Sequence, residues 1–206
     1  MKKTFPQVRE QAVAHLRRRD PVMRAVIKQV GPCLIRPRGN RFHSLVRAIV
    51  SQQISVHAAR AILARLEAAV APETVRADNL AALSDAEFRA IGLSTQKLGY
   101  MRSLSAHALE GTLRLARIGR LDDEAVIAEL TQVKGIGVWT AQMFLMFTLG
   151  RPNVLPWDDL GIKQAIRNMH GLDELPDKAA CERIAQPWRP YATFASWYCW
   201  RSLELE

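Results

Sequence analysis

Leu130-Thr131-Gln132-Val133-Lys134-Gly135-Ile136-Gly137-Val138-Trp139-Thr140-Ala141 is the stretch on which the reading of the fold turns. A helical segment from Asp122 to Leu130 runs into a Gly-x-Gly turn, and a second one, Val138 to Leu149, begins at once and stops at Gly150. Gly135 and Gly137 permit positive φ and a close approach of another backbone. The second helix then points its first amides and its positive dipole end out of the turn, where a phosphate fits. A plain connection between two helices gives the same pattern, so the turn alone does not separate the two readings.

Outward from the hairpin, the chain continues to read as helix. Asp20-Pro21 supplies an N-cap and a first-turn proline for Pro21 to Val30. Phe42, Leu45, Val46, Ile49 and Val50 recur at helical spacing, and Ala58 to Val70 is an Ala/Leu-rich helix behind Ser55. Ser84 and Glu87 form a capping box closed by Gly92, and Thr95 to Leu109 ends at Gly111. Further helices are expected from Asp159 to Met169, Asp177 to Gln186 and Pro190 to Leu203. No segment alternates apolar and β-branched residues with polar ones, so the expected class is an all-α bundle without a sheet. Arg151-Pro152-Asn153-Val154-Leu155-Pro156-Trp157 is the one conspicuous irregular stretch, held extended by its two prolines.

Composition narrows the function classes. The 206 residues are 49% hydrophobic and 24% charged, which excludes wholesale disorder and leaves room for a real core. The longest apolar stretch, Met143 to Leu149, is far shorter than the roughly 20 residues a membrane helix needs. No apolar segment follows the basic N-terminus, so a secretory signal is not expected. Cys33, Cys181 and Cys199 are odd in number and scattered, which argues against a disulfide framework and points to a reducing cytoplasm. The five histidines show no metal spacing. A net charge of +9 favours a polyanionic partner, with Arg17-Arg18-Arg19, Arg24, Lys28, Arg36, Arg38 and Arg41 all early in the chain. A solvated basic face explains the charge equally well.

Asp158-Asp159 sits at the mouth of the next helix, in Leu155-Pro156-Trp157-Asp158-Asp159-Leu160-Gly161-Ile162-Lys163-Gln164. An N-cap is one reading. The other is a catalytic carboxylate that stabilises a cation, since a helix N-terminus favours negative charge. The two roles are compatible.

The hairpin followed by this Asp-Asp-Leu-Gly-Ile-Lys-Gln segment resembles the helix–hairpin–helix DNA glycosylase superfamily, and most closely its 3-methyladenine DNA glycosylase II branch. Phe42 to Ser55, with Ser51-Gln52-Gln53-Ile54-Ser55 at its end, Gly92-Leu93-Ser94 with Lys97, and Trp188 to Tyr198 are similar as well. The resemblance runs from about Arg24 to Trp200. It implies a two-lobed helical fold, 1–206 as one glycosylase unit, with the active-site cleft between the lobes. One lobe spans about 36–150, including the hairpin 130–141, and the other combines about 1–35 with 151–206. The chain has no C-terminal four-cysteine loop of the iron–sulfur members and little room for an N-terminal β domain, so a compact form is expected.

Carried over by position, the resemblance makes Asp159 the catalytic aspartate and Asp158 a helper or cap. It places Trp139, Trp197, Met143 and Tyr191 around the base pocket, with Trp157 as a further neighbour, and leaves Trp188 and Trp200 as core. Gln53 is the wedge that fills the vacated base stack; an exposed glutamine at a helix end is the alternative. Lys134, Gly135, Gly137, Val138 and Thr140 contact DNA. The carbonyls of Thr131, Val133 and Gly135 hold a Na+ or K+, and no cofactor is required. Trp139 stands where lyase-competent relatives carry a nucleophilic lysine, so no Schiff base and no strand cleavage are expected. Met143 replaces a pocket tyrosine of the longer bacterial enzymes. The implied activity is monofunctional release of alkylated purines (3-methyladenine, 7-methylguanine) from double-stranded DNA in base excision repair. A nucleoid-associated cytoplasmic monomer is expected, and a non-catalytic DNA-binding module is the alternative.

Overall fold

The computed structural model describes residues 3–205. Among them every regular element is helical, as the sequence predicts: twelve α-helices and two short 3-10 turns, Ile118–Arg120 and Gln186–Trp188. The chain divides into two compact units, Met1–Pro37 with Leu145–Glu206, and Arg38–Phe144.

The discontinuous unit holds α1 (Phe5–Arg19), α2 (Pro21–Val30), α10 (Leu160–His170), α11 (Lys178–Ile184) and α12 (Ala192–Ser202). Their apolar faces meet in a core of Leu16, Met23, Ile27, Ile166, Trp188, Phe194 and Tyr198, each fully buried. Asp20 is a polar exception within it. One carboxylate oxygen accepts from the Val22 and Met23 amides at 2.8 and 3.0 Å and so caps α2, while the other accepts from Trp188 Nε1 at 2.7 Å. The carboxylate thereby ties a helix start to an indole 168 residues away, with each buried polar atom partnered.

The continuous unit holds α3 (Arg41–Ser51), α4 (Val56–Ala69), α5 (Ala77–Ala82), α6 (Asp85–Ile91), α7 (Thr95–Leu109) and α8 (Asp123–Leu130). The division falls within α9 (Val138–Phe147). Leu45, Ile49, Leu66, Leu80, Phe88, Met101 and Leu130 form its buried interior. Burying side chains of this size contributes about 1.5–3 kcal/mol each.

Helix starts follow the capping residues. Side-chain oxygens of Asn40, Ser55, Ser84, Ser94, Asp122 and Asp177 each accept from the amide three residues on. Helix ends deviate more. The helix expected to reach Leu149 stops at Phe147, where the Arg151 amide bonds back to the Leu145 carbonyl across Gly150 at φ +69. The expected helix from Pro190 begins at Ala192, because Thr193 donates its amide to the Pro152 carbonyl at 3.0 Å. Two helices lie where the sequence reading names none. In α1 an Arg17-Arg18-Arg19 end masks the apolar face of Phe5, Val8, Ala12 and Leu16. In α5 six residues start behind Arg76, which is not a capping residue type.

Asp20→Ala removes the α2 cap and leaves the buried Trp188 N–H without its acceptor. We expect a loss of about 2–4 kcal/mol, seen as a lower urea midpoint, while Asp20→Asn retains most of the stability.

Candidate active site

In the continuous unit, the hairpin is as tight as its glycines suggest. Gly135 has φ +82, and a Cβ built on it would stand 2.2–2.5 Å from the Tyr100 ring. No other residue fits. Ile136 donates its amide to the Val133 carbonyl at 3.1 Å, and Lys134 donates its own to Ser103 Oγ at 3.1 Å. The hydrogen-bond ladder of α9 opens with Ala141 N–H on the Gly137 carbonyl, so the Val138 and Thr140 amides precede it, at the positive end of the helix. Val138 and Trp139 are 54% and 50% exposed on this first turn, unusual for large apolar side chains with burial available nearby. Met143 follows Trp139 by one turn, on the same side of α9, and is part-buried. Lys134 and Gly137 are exposed, and Thr140 is buried.

Past the end of α3, Gln53 is exposed with φ +55, the one non-glycine residue at positive φ among those described. Left-handed backbone costs a side-chain-bearing residue about 1–2 kcal/mol and is kept only where neighbours enforce it. Gln52 and Lys97 enforce it here. Gln52 Nε2 donates to the Gly135 carbonyl at 2.8 Å, which fastens this loop to the hairpin. Lys97 Nζ donates to the carbonyls of Val50 and Gln52, both at 2.7 Å, and burial lowers its pKa. Lys97, Tyr100 and Ser103, spaced three apart along α7, thus hold the loop and the hairpin at once.

The discontinuous unit holds Asp159. It is the N-cap of α10, and its Oδ1 accepts from the Ile162 amide at 2.9 Å and from Trp200 Nε1 at 2.9 Å. Gly161 permits this: a Cβ there would lie 3.1 Å from both Asp159 Oδ1 and Trp200 Cδ1. Asp158 is exposed and pairs with Lys163 at 3.1 Å, so the cap falls to Asp159. Lys163 and Lys178 flank the Trp157 ring at 5.2 and 5.5 Å. Trp197 is part-buried, edge-on to Tyr198 at 5.0 Å, with Arg201 at 5.9 Å from its ring. Tyr191 precedes α12 and packs edge-on to His15 at 5.3 Å and Phe194 at 6.3 Å.

One expectation changes. Trp188 is core, as read, but Trp200 is more than core: its indole is a donor to the carboxylate of Asp159, across 41 residues. Lys97 and Tyr100 carry no sign in the sequence of the loop and hairpin they hold. No cluster of His, Cys, Asp or Glu able to hold a metal occurs among the described residues. Of the hairpin carbonyls expected to take a monovalent ion, that of Val133 accepts from Ile136 and that of Gly135 from Gln52.

Lys97→Met removes a charged donor from two carbonyls. The expected cost is about 2–3 kcal/mol in thermal or urea unfolding, with Lys97→Arg closer to the native protein.

Residues 46–190 match the model of the HhH-GPD superfamily base excision DNA repair proteins. DNA-3-methyladenine glycosylase 1 of Schizosaccharomyces pombe is 32% identical over 94% of this chain and 87% of its own length. Two solved structures superpose closely. The DNA-3-methyladenine glycosidase of Bacillus halodurans has a TM-score of 0.84 at 34% identity, covering 93% of this chain and 88% of that one. The Schizosaccharomyces pombe 3-methyladenine DNA glycosylase (Mag1) in complex with abasic DNA has a TM-score of 0.82 at 31% identity, covering 94% and 97%. The chain belongs to the HhH-GPD superfamily of base excision DNA repair proteins.

Proposed function

We propose that this protein is a monofunctional DNA glycosylase that releases alkylated purines of the 3-methyladenine and 7-methylguanine type from double-stranded DNA. The observation that carries this reading is the Asp159 carboxylate, set at a helix N-terminus with two donors on one oxygen. The names of the relatives from Schizosaccharomyces pombe and Bacillus halodurans support the substrate class.

A base inside a duplex is beyond reach, so the nucleotide is turned out at an unstacking cost of a few kcal/mol. The amides of the first turn of α9, with Gly135 and Gly137, hold a backbone phosphate, and Lys134 adds a positive charge beside them. Gln53, pre-set in its strained conformation, occupies the gap left in the stack. A backbone already in that conformation spares part of the entropy of ordering a wedge at each encounter.

The turned-out base is cationic. Trp139 and Trp197 offer indole faces, and stacking on such a ring contributes about 0.5–2 kcal/mol for a cation. Met143 on α9 and Tyr191 before α12 are the further residues proposed to contact the base. As the N-glycosidic bond breaks, its electron pair goes to the base and neutralises it, so no general acid is required. Positive charge passes to the sugar, where the Asp159 carboxylate stabilises it and orients a water for attack at C1′. That water forms the new C–O bond and gives its proton to the carboxylate or to solvent. With Trp139 in place of an amine nucleophile, no Schiff base forms and the strand stays whole.

No step needs a metal or an organic cofactor. The carbonyls of Thr131, Val133 and Gly135 are oxygen ligands suited to Na+ or K+, and the hydrogen bonds to Val133 and Gly135 leave each a second lone pair. A bound ion would add positive charge beside the phosphate. A cytoplasmic, nucleoid-associated monomer is the proposed setting, supported by three cysteines present as unpaired buried thiols. No helix among the described residues is long and apolar enough to cross a membrane.

Asp159→Asn keeps a capping side chain at α10 and removes the charge. We expect base release from methylated DNA to fall at least about 100-fold while duplex affinity stays within a few-fold. Unchanged release, measured by chromatography of free bases, would remove Asp159 from this role. Trp200→Phe keeps a ring against Phe147, 6.0 Å away, and deletes the donor to Asp159. The expected result is a drop of about tenfold or more in single-turnover rate with little change in binding.

A further inference from the structure

Most of the net positive charge of the chain is concentrated at one end. Its first 37 residues contain nine Lys and Arg against two Asp and Glu, a net +7 out of +9. In the folded chain Arg17 at the end of α1, with Arg24 and Lys28 on α2, lines an open groove of about 730 Å3 whose apolar lining includes Pro21, Ile27 and Pro32. No carboxylate lines it. Asp20, the nearest in sequence, is turned inward to the α2 amides and Trp188.

Several other cations are compensated: Arg76 by Asp78, Arg102 by Asp85, Lys178 by Glu182 and Arg201 by Glu204. Among the described residues, no ion pair involves Arg17, Arg24 or Lys28. Three like charges around one concavity repel each other, and the apolar lining strengthens the local field. The groove therefore favours an anionic occupant.

We propose that this groove binds the phosphodiester backbone of duplex DNA by charge alone, as a contact additional to the hairpin. Arg24 and Lys28 are four residues apart on one side of α2, a rise of about 6 Å, close to the axial rise of about 6.8 Å for two nucleotides of one strand. The arginine fork matches a phosphate in two hydrogen bonds. No aromatic residue lines the groove, so it offers no platform for an unpaired base, and duplex backbone rather than single strand is the ligand. Such a contact reads no sequence, which suits an enzyme that must pass over long stretches of undamaged DNA. The inference rests on the reading that the chain acts on DNA, and it does not depend on Asp159.

The test uses the full chain, an undamaged duplex and fluorescence anisotropy at several salt concentrations. In Arg17→Gln/Arg24→Gln/Lys28→Gln, affinity at low salt should fall about tenfold or more, and the slope of log K against log salt should become shallower by about 2 to 3. Arg18→Gln/Arg19→Gln, which lie outside the groove, should change the slope less. Base release at saturating methylated DNA should match the native rate, because no groove residue belongs to the site around Asp159. An unaltered salt slope overturns the proposal. So does a triple variant that binds duplex normally but loses affinity for a Glu-rich peptide, which would assign the groove to an acidic protein. Because undamaged duplex is the ligand, a protein that releases no base at all would still give this answer.

Discussion

One side of α7 sets the register between the hairpin and the Gln53 loop of the continuous unit. The Tyr100 ring fills the space that any side chain at position 135 would need, so the hairpin can close only on glycine. Three residues before it, the ammonium of Lys97 takes the last carbonyls of α3; three residues after, the Ser103 hydroxyl accepts the Lys134 amide. The hairpin and the Gln53 loop are some 80 residues apart in sequence, as the Gln52–Gly135 bond shows. Local propensity cannot set their register. A rigid helix lying against both can, and the strained backbone of Gln53 persists because the carbonyl before it is held by Lys97.

The second constraint is a single oxygen. Asp159 Oδ1 starts α10 by accepting from Ile162 and is held by the Trp200 indole. The cap sets the direction of the carboxylate, and Gly161, two residues on, is small enough to admit the indole. Asp158, one residue earlier, is drawn to Lys163 on the helix surface. Two neighbouring residues of the same type thus have separate environments.

The same economy extends to what the chain lacks. For the proposed substrate a cationic leaving group needs no acid, and Trp139 in place of an amine nucleophile would leave the strand intact. Much of the excess positive charge lies on α1 and α2, far in sequence from the hairpin and from Asp159.

Much of this was legible in the sequence. Helical periodicity, the capping residues, the Gly-x-Gly turn and the Asp-Asp pair gave the all-α class and the positions of most helices, because caps and turns are decided by residues within a few positions of one another. Helix ends were less legible: Phe147 and Ala192 mark limits set by the Arg151–Leu145 and Thr193–Pro152 bonds rather than by any stop signal. The sequence alone determined which residue types could grip a phosphate or carry a carboxylate. Tertiary structure decided that Trp200 serves Asp159, that Lys97 and Tyr100 hold the hairpin and its neighbouring loop, and that Arg17, Arg24 and Lys28 share a groove. Those are contacts between side chains distant in the chain, and no local periodicity encodes where two such side chains meet.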